Sequence, residues 1–160
     1  MLMIAKRVIP FGLSFAGVVM LDILTKLAII NHLSLHQYRP VVPGFFNLVH
    51  IRNRGMAFGI FSSANASWRE LVLLVFPLIA VAGILWMLFR YPKMTPGMAL
   101  ALGAVLGGAL GNLLDRLRFQ EVVDFLDFHW RGFHWPAFNV ADSAITLGVG
   151  FLVYYFWREG

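Results

Sequence analysis

The sequence predicts an all-helical integral membrane protein, with four transmembrane helices and a small β-sheet between them on one side. Three observations lead there. The chain is 59% hydrophobic and only 13% charged, with a mean hydropathy of +0.74, whereas a soluble domain is about one quarter charged. Its 160 residues contain four apolar segments, each near the roughly 20 residues that cross a bilayer. The long stretch after the first segment is rich in β-branched and aromatic residues and carries turn signals.

The first span covers about residues 8–30, behind Lys6 and Arg7. Val8–Leu21 alone has the length of a signal-peptide core. The apolar pattern resumes after Asp22 and no small-residue cleavage site follows, so this segment is expected to stay as a span. The second span covers about 71–89, with a kink expected at Pro77. The third covers about 97–114. Its Gly103, Gly107 and Gly111 recur every four residues on one face, a spacing that lets helices approach closely in lipid. The fourth covers about 141–157, and Trp130, Trp135 and Trp157 suit the membrane interfaces. The stretch Tyr38–Arg52, with Pro43-Gly44 at its turn, is expected to form a small sheet on the membrane surface. The whole chain, 1–160, reads as one domain.

Four spans put the connections 31–67 and 116–138 on the same side, whichever way the protein is oriented. Five basic residues (Lys6, Arg7, Arg90, Lys93, Arg158) then face seven (Arg39, Arg52, Arg54, Arg69, Arg116, Arg118, Arg131). The bare count does not follow the positive-inside rule. Lys6-Arg7 and the short basic 90–96 loop nevertheless place the N-terminus inside. The net charge is +5 but the basic residues are scattered. That pattern suits lipid headgroups and does not form a nucleic-acid groove. With no cysteine there is no disulfide, thiol nucleophile or thiolate metal site.

Chemistry is sought among the few acids. Asp124 and Asp142 each sit at the edge of an apolar segment in a chain with eight acidic residues. Ionisable groups at a membrane boundary are costly and mark candidate functional sites. Two carboxylates brought together share a proton and activate water. The plain alternatives are a helix-capping role for Asp142 and a solvated loop position for Asp124; Asp127 is the rival second carboxylate. Asp22 and Lys26, four apart on one helix face, form a neutralising pair or take a direct part. Asn53 and Gly55 lie in a turn-like segment. Asn112, Asp115 and Arg116 end the third span as scaffold or substrate contacts.

His129 and His134 with Asp124 and Asp127 raise the question of a metal. The histidines are five apart, which does not put two ligands on one helical face, so no metal is expected. Ser143 has no nearby base. A transporter or channel using the same acids as an ion path is the main alternative. It predicts polar residues through the membrane depth, but span two and most of span four carry no charged residue, and the acids gather on one side. A purely structural protein would tolerate Asp→Asn changes at 124 and 142.

Taken together the motifs resemble bacterial prolipoprotein signal peptidase (signal peptidase II), a four-span aspartic peptidase. They are Asp22-x-x-x-Lys26, Asn53-x-Gly-x-Ala-Phe58, Gly107-Gly-x-x-Gly-Asn-x-x-Asp-Arg116, Val123-Asp-Phe125 and Phe138-Asn-x-Ala-Asp142, in that order over nearly the whole chain. The resemblance implies removal of the signal peptide from diacylglyceryl-modified prolipoproteins, cut just before the lipidated Cys. It implies Asp124 and Asp142 as the catalytic dyad. Asn53, Gly55, Asn112, Arg116 and Asn139 would line and order the site, with Asp22, Lys26 and Asp115 in support. It also implies an extracytoplasmic sheet and a surface helix within 31–67, and a site near the outer face of the bacterial cytoplasmic (inner) membrane. No metal or organic cofactor is implied. Expected partners are the prolipoprotein, membrane lipid and the cyclic peptide inhibitor globomycin; the protein is expected to be a monomer. Ile23 stands where that family often has Gln.

Overall fold

The computed structural model describes residues 2–55 and 66–159. In chain order its elements are α1 (Leu2–His32), β1 (Tyr38–Val42), β2 (Phe46–Asn53), α2 (Ala66–Arg90), α3 (Pro96–Phe119), β3 (Val122–Trp130), β4 (Phe133–His134) and α4 (Val140–Glu159). Among the described residues α1, α3 and α4 are long and apolar enough to cross a membrane. In α2 the described apolar run is Leu78–Arg90. The helix continues through position 77, where a kink was expected. Large side chains such as Leu13, Leu147 and Trp157 are exposed along the helices, which is what lipid-facing surfaces require.

The helices run further than the apolar count suggests, and α3 shows why. Thr95 caps its start by accepting Met98 N–H at 3.2 Å, with Pro96 at the first helical position. It ends at Gln120, which is left-handed (φ 58°) and donates its N–H to Arg116 O. Asp115 and Arg116, expected at the edge of a loop, are therefore on the helix. Close packing against α3 uses the glycines. A Cβ at Gly103 would strike the Phe11 carbonyl, one at Gly111 the Asp22 carboxylate, and one at Gly108 the Ala141 carbonyl. Both α1 and α4 pack on α3 in this way.

The sheet is antiparallel with order β1-β2-β3-β4. It was expected from the 38–52 stretch alone, but half of it comes from the connection between α3 and α4. Gly44 (φ 77°) makes the β1–β2 turn, with Phe45 N–H on Val42 O. Arg131 and Gly132, both at positive φ, make the two-residue β3–β4 turn. The surface helix expected within 31–67 is not in 31–55; residues 56–65, with Ala57 and Phe58 of the Asn53 motif, lie outside the described residues.

Two apolar clusters hold the ends of the molecule. Ile84, Leu88, Met94, Met98, Ala99 and Leu102 join α2 to α3. Ile29, Leu33, Val123 and Phe125 join α1 to the sheet. At the end away from the sheet, Arg7 donates to Pro92 O at 3.0 Å and Tyr91 meets Phe156 edge-on. The N-terminus, the 91–95 loop and the end of α4 thus share one end, and the sheet occupies the other.

Candidate active site

Asp124 and Asp142 come together where the sheet meets the helix bundle. Asp124 is on β3, opposite Ile51 of β2. Asp142 is in the first turn of α4. Both are buried. Their link is Asn139, which is fully buried just before α4. Asn139 Oδ1 accepts Asp142 N–H at 2.9 Å, and Asp142 Oδ2 accepts Asn139 N–H at 3.3 Å. This is a reciprocal capping box that starts α4. The capping alternative for Asp142 therefore describes only one of its two oxygens.

The second oxygen, Oδ1, accepts Asn112 Nδ2–H at 2.8 Å. Asn139 Nδ2 donates to Asp124 Oδ1 at 2.8 Å, with Asn112 Oδ1 at 3.2 Å and Val123 O at 3.3 Å. Asn53 Nδ2 donates to Asp124 Oδ2 at 2.9 Å. Both carboxylates are thus bonded to the same residue, and neutral amides from α3, β2 and the α4 cap fix their orientation. Burial is the largest influence on Asp124, and the Asp142 charge is the next. Together they raise its pKa from 3.8 to about 7, against the lowering effects of Asn53, Asn139 and Lys26. Asp124 lines a cavity of about 620 Å³ with Arg52, Asn53, Arg54 and Glu121.

Beneath the pair lies a charge cluster. Lys26 Nζ is 3.0 Å from Asp115 Oδ2 and donates to Asn112 Oδ1 at 3.0 Å. Asp22 Oδ2 lies 2.8 Å from Nζ, an ion pair by distance but without hydrogen-bond alignment. Asp22 Oδ1 accepts Ala141 N–H at 3.0 Å, and Asp115 Oδ2 accepts Val123 N–H at 3.0 Å. The buried acids therefore also hold the start of α4 and of β3. Arg116 donates to Gly55 O at 2.9 Å, and Gly55 N–H to Asn53 Oδ1 at 2.8 Å, which fixes the turn carrying Asn53.

Asp127 does not join the pair. It is buried between Asn47 Nδ2 and His134 Nδ1, each at 2.8 Å. Sequence reasoning gave Asn47 no role; a polar residue within the apolar run Phe45–Val49 was the available signal. Among the described residues no three His, Asp or Glu side chains are arranged to hold a metal ion. Ser143 Oγ donates to Asn139 O at 2.9 Å, back along its own helix.

The family model described as signal peptidase (SPase) II matches residues 14–158. A lipoprotein signal peptidase of Syntrophotalea carbinolica is 52% identical over 144 residues, 89% of this chain and 88% of the relative. One of Nitratidesulfovibrio vulgaris is 49% identical over 137 residues, 85% and 82% of the two chains. A bacterial membrane enzyme solved by the in meso method at 1.9 Å resolution superposes with a TM-score of 0.81 at 27% identity, covering 94% of each chain. The chain belongs to the signal peptidase II family, and its function is that of a membrane-embedded bacterial lipoprotein signal peptidase, a protease.

Proposed function

We propose that Asp124 and Asp142 are the catalytic dyad and that they cleave a diacylglyceryl-modified prolipoprotein just before its lipidated Cys. The observation that carries this reading is the pair of buried carboxylates bonded to one asparagine, at the border of the bundle and the sheet, beside a cavity that Asp124 lines. Two such groups near neutral pH hold one proton between them. The ionised member takes a proton from water as the water attacks the scissile carbonyl. The protonated member polarises that carbonyl and then supplies a proton to the leaving nitrogen.

In this reading Asn112 and Asn139 keep the carboxylates in place, and Asn53, Gly55 and Arg116 keep the adjoining turn in place. Lys26, Asp22 and Asp115 fasten the helices beneath them. The apolar signal segment and the acyl chains lie against the spans. The dyad then stands at the outer face of the bacterial cytoplasmic membrane, where the modified Cys presents its preceding bond, and the sheet is extracytoplasmic. The enzyme acts as a monomer, and globomycin occupies the same cavity.

The test is cleavage of a diacylglyceryl-modified prolipoprotein peptide by the purified protein, beside Asp124→Asn and Asp142→Asn. Each folded variant is expected to lose on the order of 10³-fold or more in kcat/KM, the scale of general acid–base catalysis. Near-full activity in either variant would remove the dyad.

A further inference from the structure

A cavity larger than the one Asp124 lines lies on the sheet. It measures about 940 Å³, and β1, the Pro43-Gly44 turn, β2, β3, β4 and the 135–137 segment contribute its walls; among the described residues no helix lines it. It adjoins the Asp124 cavity, because His36, Ile51, Pro136 and Ala137 line both. Four polar side chains that the proposed chemistry leaves unused also line it. Asn47 and Asp127 are register partners on β2 and β3, joined Nδ2 to Oδ2 at 2.8 Å. His134 Nδ1 lies 2.8 Å from Asp127 Oδ1. His129, the register partner of His134, stacks on it with ring centres 4.7 Å apart. Among the described residues, His129 Nε2 is buried with no hydrogen-bond partner. A buried nitrogen left without a partner in a network otherwise bonded needs an explanation, and here it belongs to a residue that lines a cavity.

We propose that this cavity is a subsite for the polypeptide on the C-terminal side of the cleaved bond, selecting an uncharged hydrogen-bonding side chain, a hydroxyl or an amide. The proposal rests on the reading of Asp124 as the place of cleavage. The signal segment is apolar and stays with the spans, so the other half of the substrate leaves along the sheet. Strands rise about 3.3 Å per residue, so Asp127 and His129 are roughly 10 and 17 Å along β3 from Asp124; an extended substrate covers that in three to five residues. Both oxygens of Asp127 are already engaged, so a basic side chain gains little there. An acidic one would face the carboxylate. A neutral hydroxyl or amide meets neither conflict, and a small turn of the His129 ring would bring its buried Nε2 to that group.

The experiment uses the full-length purified enzyme and three diacylglyceryl-Cys peptides, the Cys being the first residue past the bond. One has Ser at the third to fifth positions, one has Leu there, and one stops after the second. Wild type is expected to cleave the Ser peptide with a kcat/KM about 5- to 10-fold above the other two, the scale of one or two hydrogen bonds. His129→Phe keeps the ring stack and is expected to lower the Ser peptide to the level of the others while leaving the truncated peptide unchanged. Equal cleavage of all three peptides by wild type would overturn the subsite and leave the dyad standing. So would a His129→Phe loss that is the same on the truncated peptide, which marks a structural role. Cleavage of none by folded wild type would overturn the dyad reading instead. The substrate series needs no variant, so a misfolded His129→Phe does not block the test.

Discussion

At the scale of the residue, Asp124 carries the most consequential feature of the site, a pKa of about 7 on a group that ordinarily titrates at 3.8. The direction follows from its causes: burial and the Asp142 charge both favour the neutral acid. If the dyad needs one proton, activity must fall as pH rises through about 7, because the pair then loses it. The expected kcat/KM profile therefore has an alkaline limb near 7. Asn53 donates to the carboxylate and so favours its charged form, lowering the pKa. Asn53→Ala removes that bond, so the limb should move to higher pH, even as the maximum rate drops. A profile flat from pH 6 to 9 in wild type, or a limb that moves down in Asn53→Ala, would contradict the assignment of the limb to Asp124.

At the scale of the element, small residues on α3 decide how near its neighbours come. A methyl at Gly103 would meet the backbone of α1 at the Phe11 carbonyl, which cannot swing aside, whereas a methyl at Gly12 meets nothing within 4 Å. Gly103→Ala is expected to cost about 1–3 kcal/mol as overpacking and to lower the unfolding temperature in detergent by several degrees. Gly12→Ala is expected to leave it unchanged or slightly higher, as helix propensity favours Ala by up to about 1 kcal/mol. Equal stability of the two variants would show that the close approach carries no weight. The spacing of Gly103, Gly107 and Gly111 was legible in the sequence because a helix face is a local property. The helix ends were less legible. Apolar counting stops α3 near Leu114, yet Asp115 and Arg116 stay helical because Lys26, Val123 N–H and Gly55 O receive them from elsewhere in the chain. The sheet was half legible for the same reason. Local turn signals mark β1 and β2, but pairing of β2 with β3 joins residues some 70–80 positions apart, and no local pattern encodes it. Asp124 and Asp142 stood out as acids in apolar surroundings. The bridge through Asn139 did not, since it depends on the α4 cap meeting β3.

At the scale of the whole molecule, Lys26 is the point where the parts meet. Its ammonium contacts Asp22 on its own helix and Asp115 and Asn112 on α3. Asp115 in turn holds the N–H of Val123 at the start of β3, and Asp22 that of Ala141 at the start of α4. One buried ammonium serves two buried carboxylates, with the asparagine bond completing the shell of the lysine. Removing the cation alone leaves two buried carboxylates without the charge that both of them face. Lys26→Met is accordingly expected to cost about 3–5 kcal/mol, read as a large drop in unfolding temperature in detergent. Activity should fall with it, because the cap that holds Asp142 loosens when Asp22 is free to turn toward water. The triple variant Asp22→Asn, Lys26→Met, Asp115→Asn removes the charges together and should recover much of the lost stability, since the three substitutions share partners and do not add. Stability of Lys26→Met equal to wild type, or a triple variant as unstable as the sum of its single changes, would mean that the cluster does not act as a unit. In that case the register of the helices and the sheet rests on the apolar contacts of Ile29, Leu33, Val123 and Phe125 together with the asparagine and Arg116 bonds of the site.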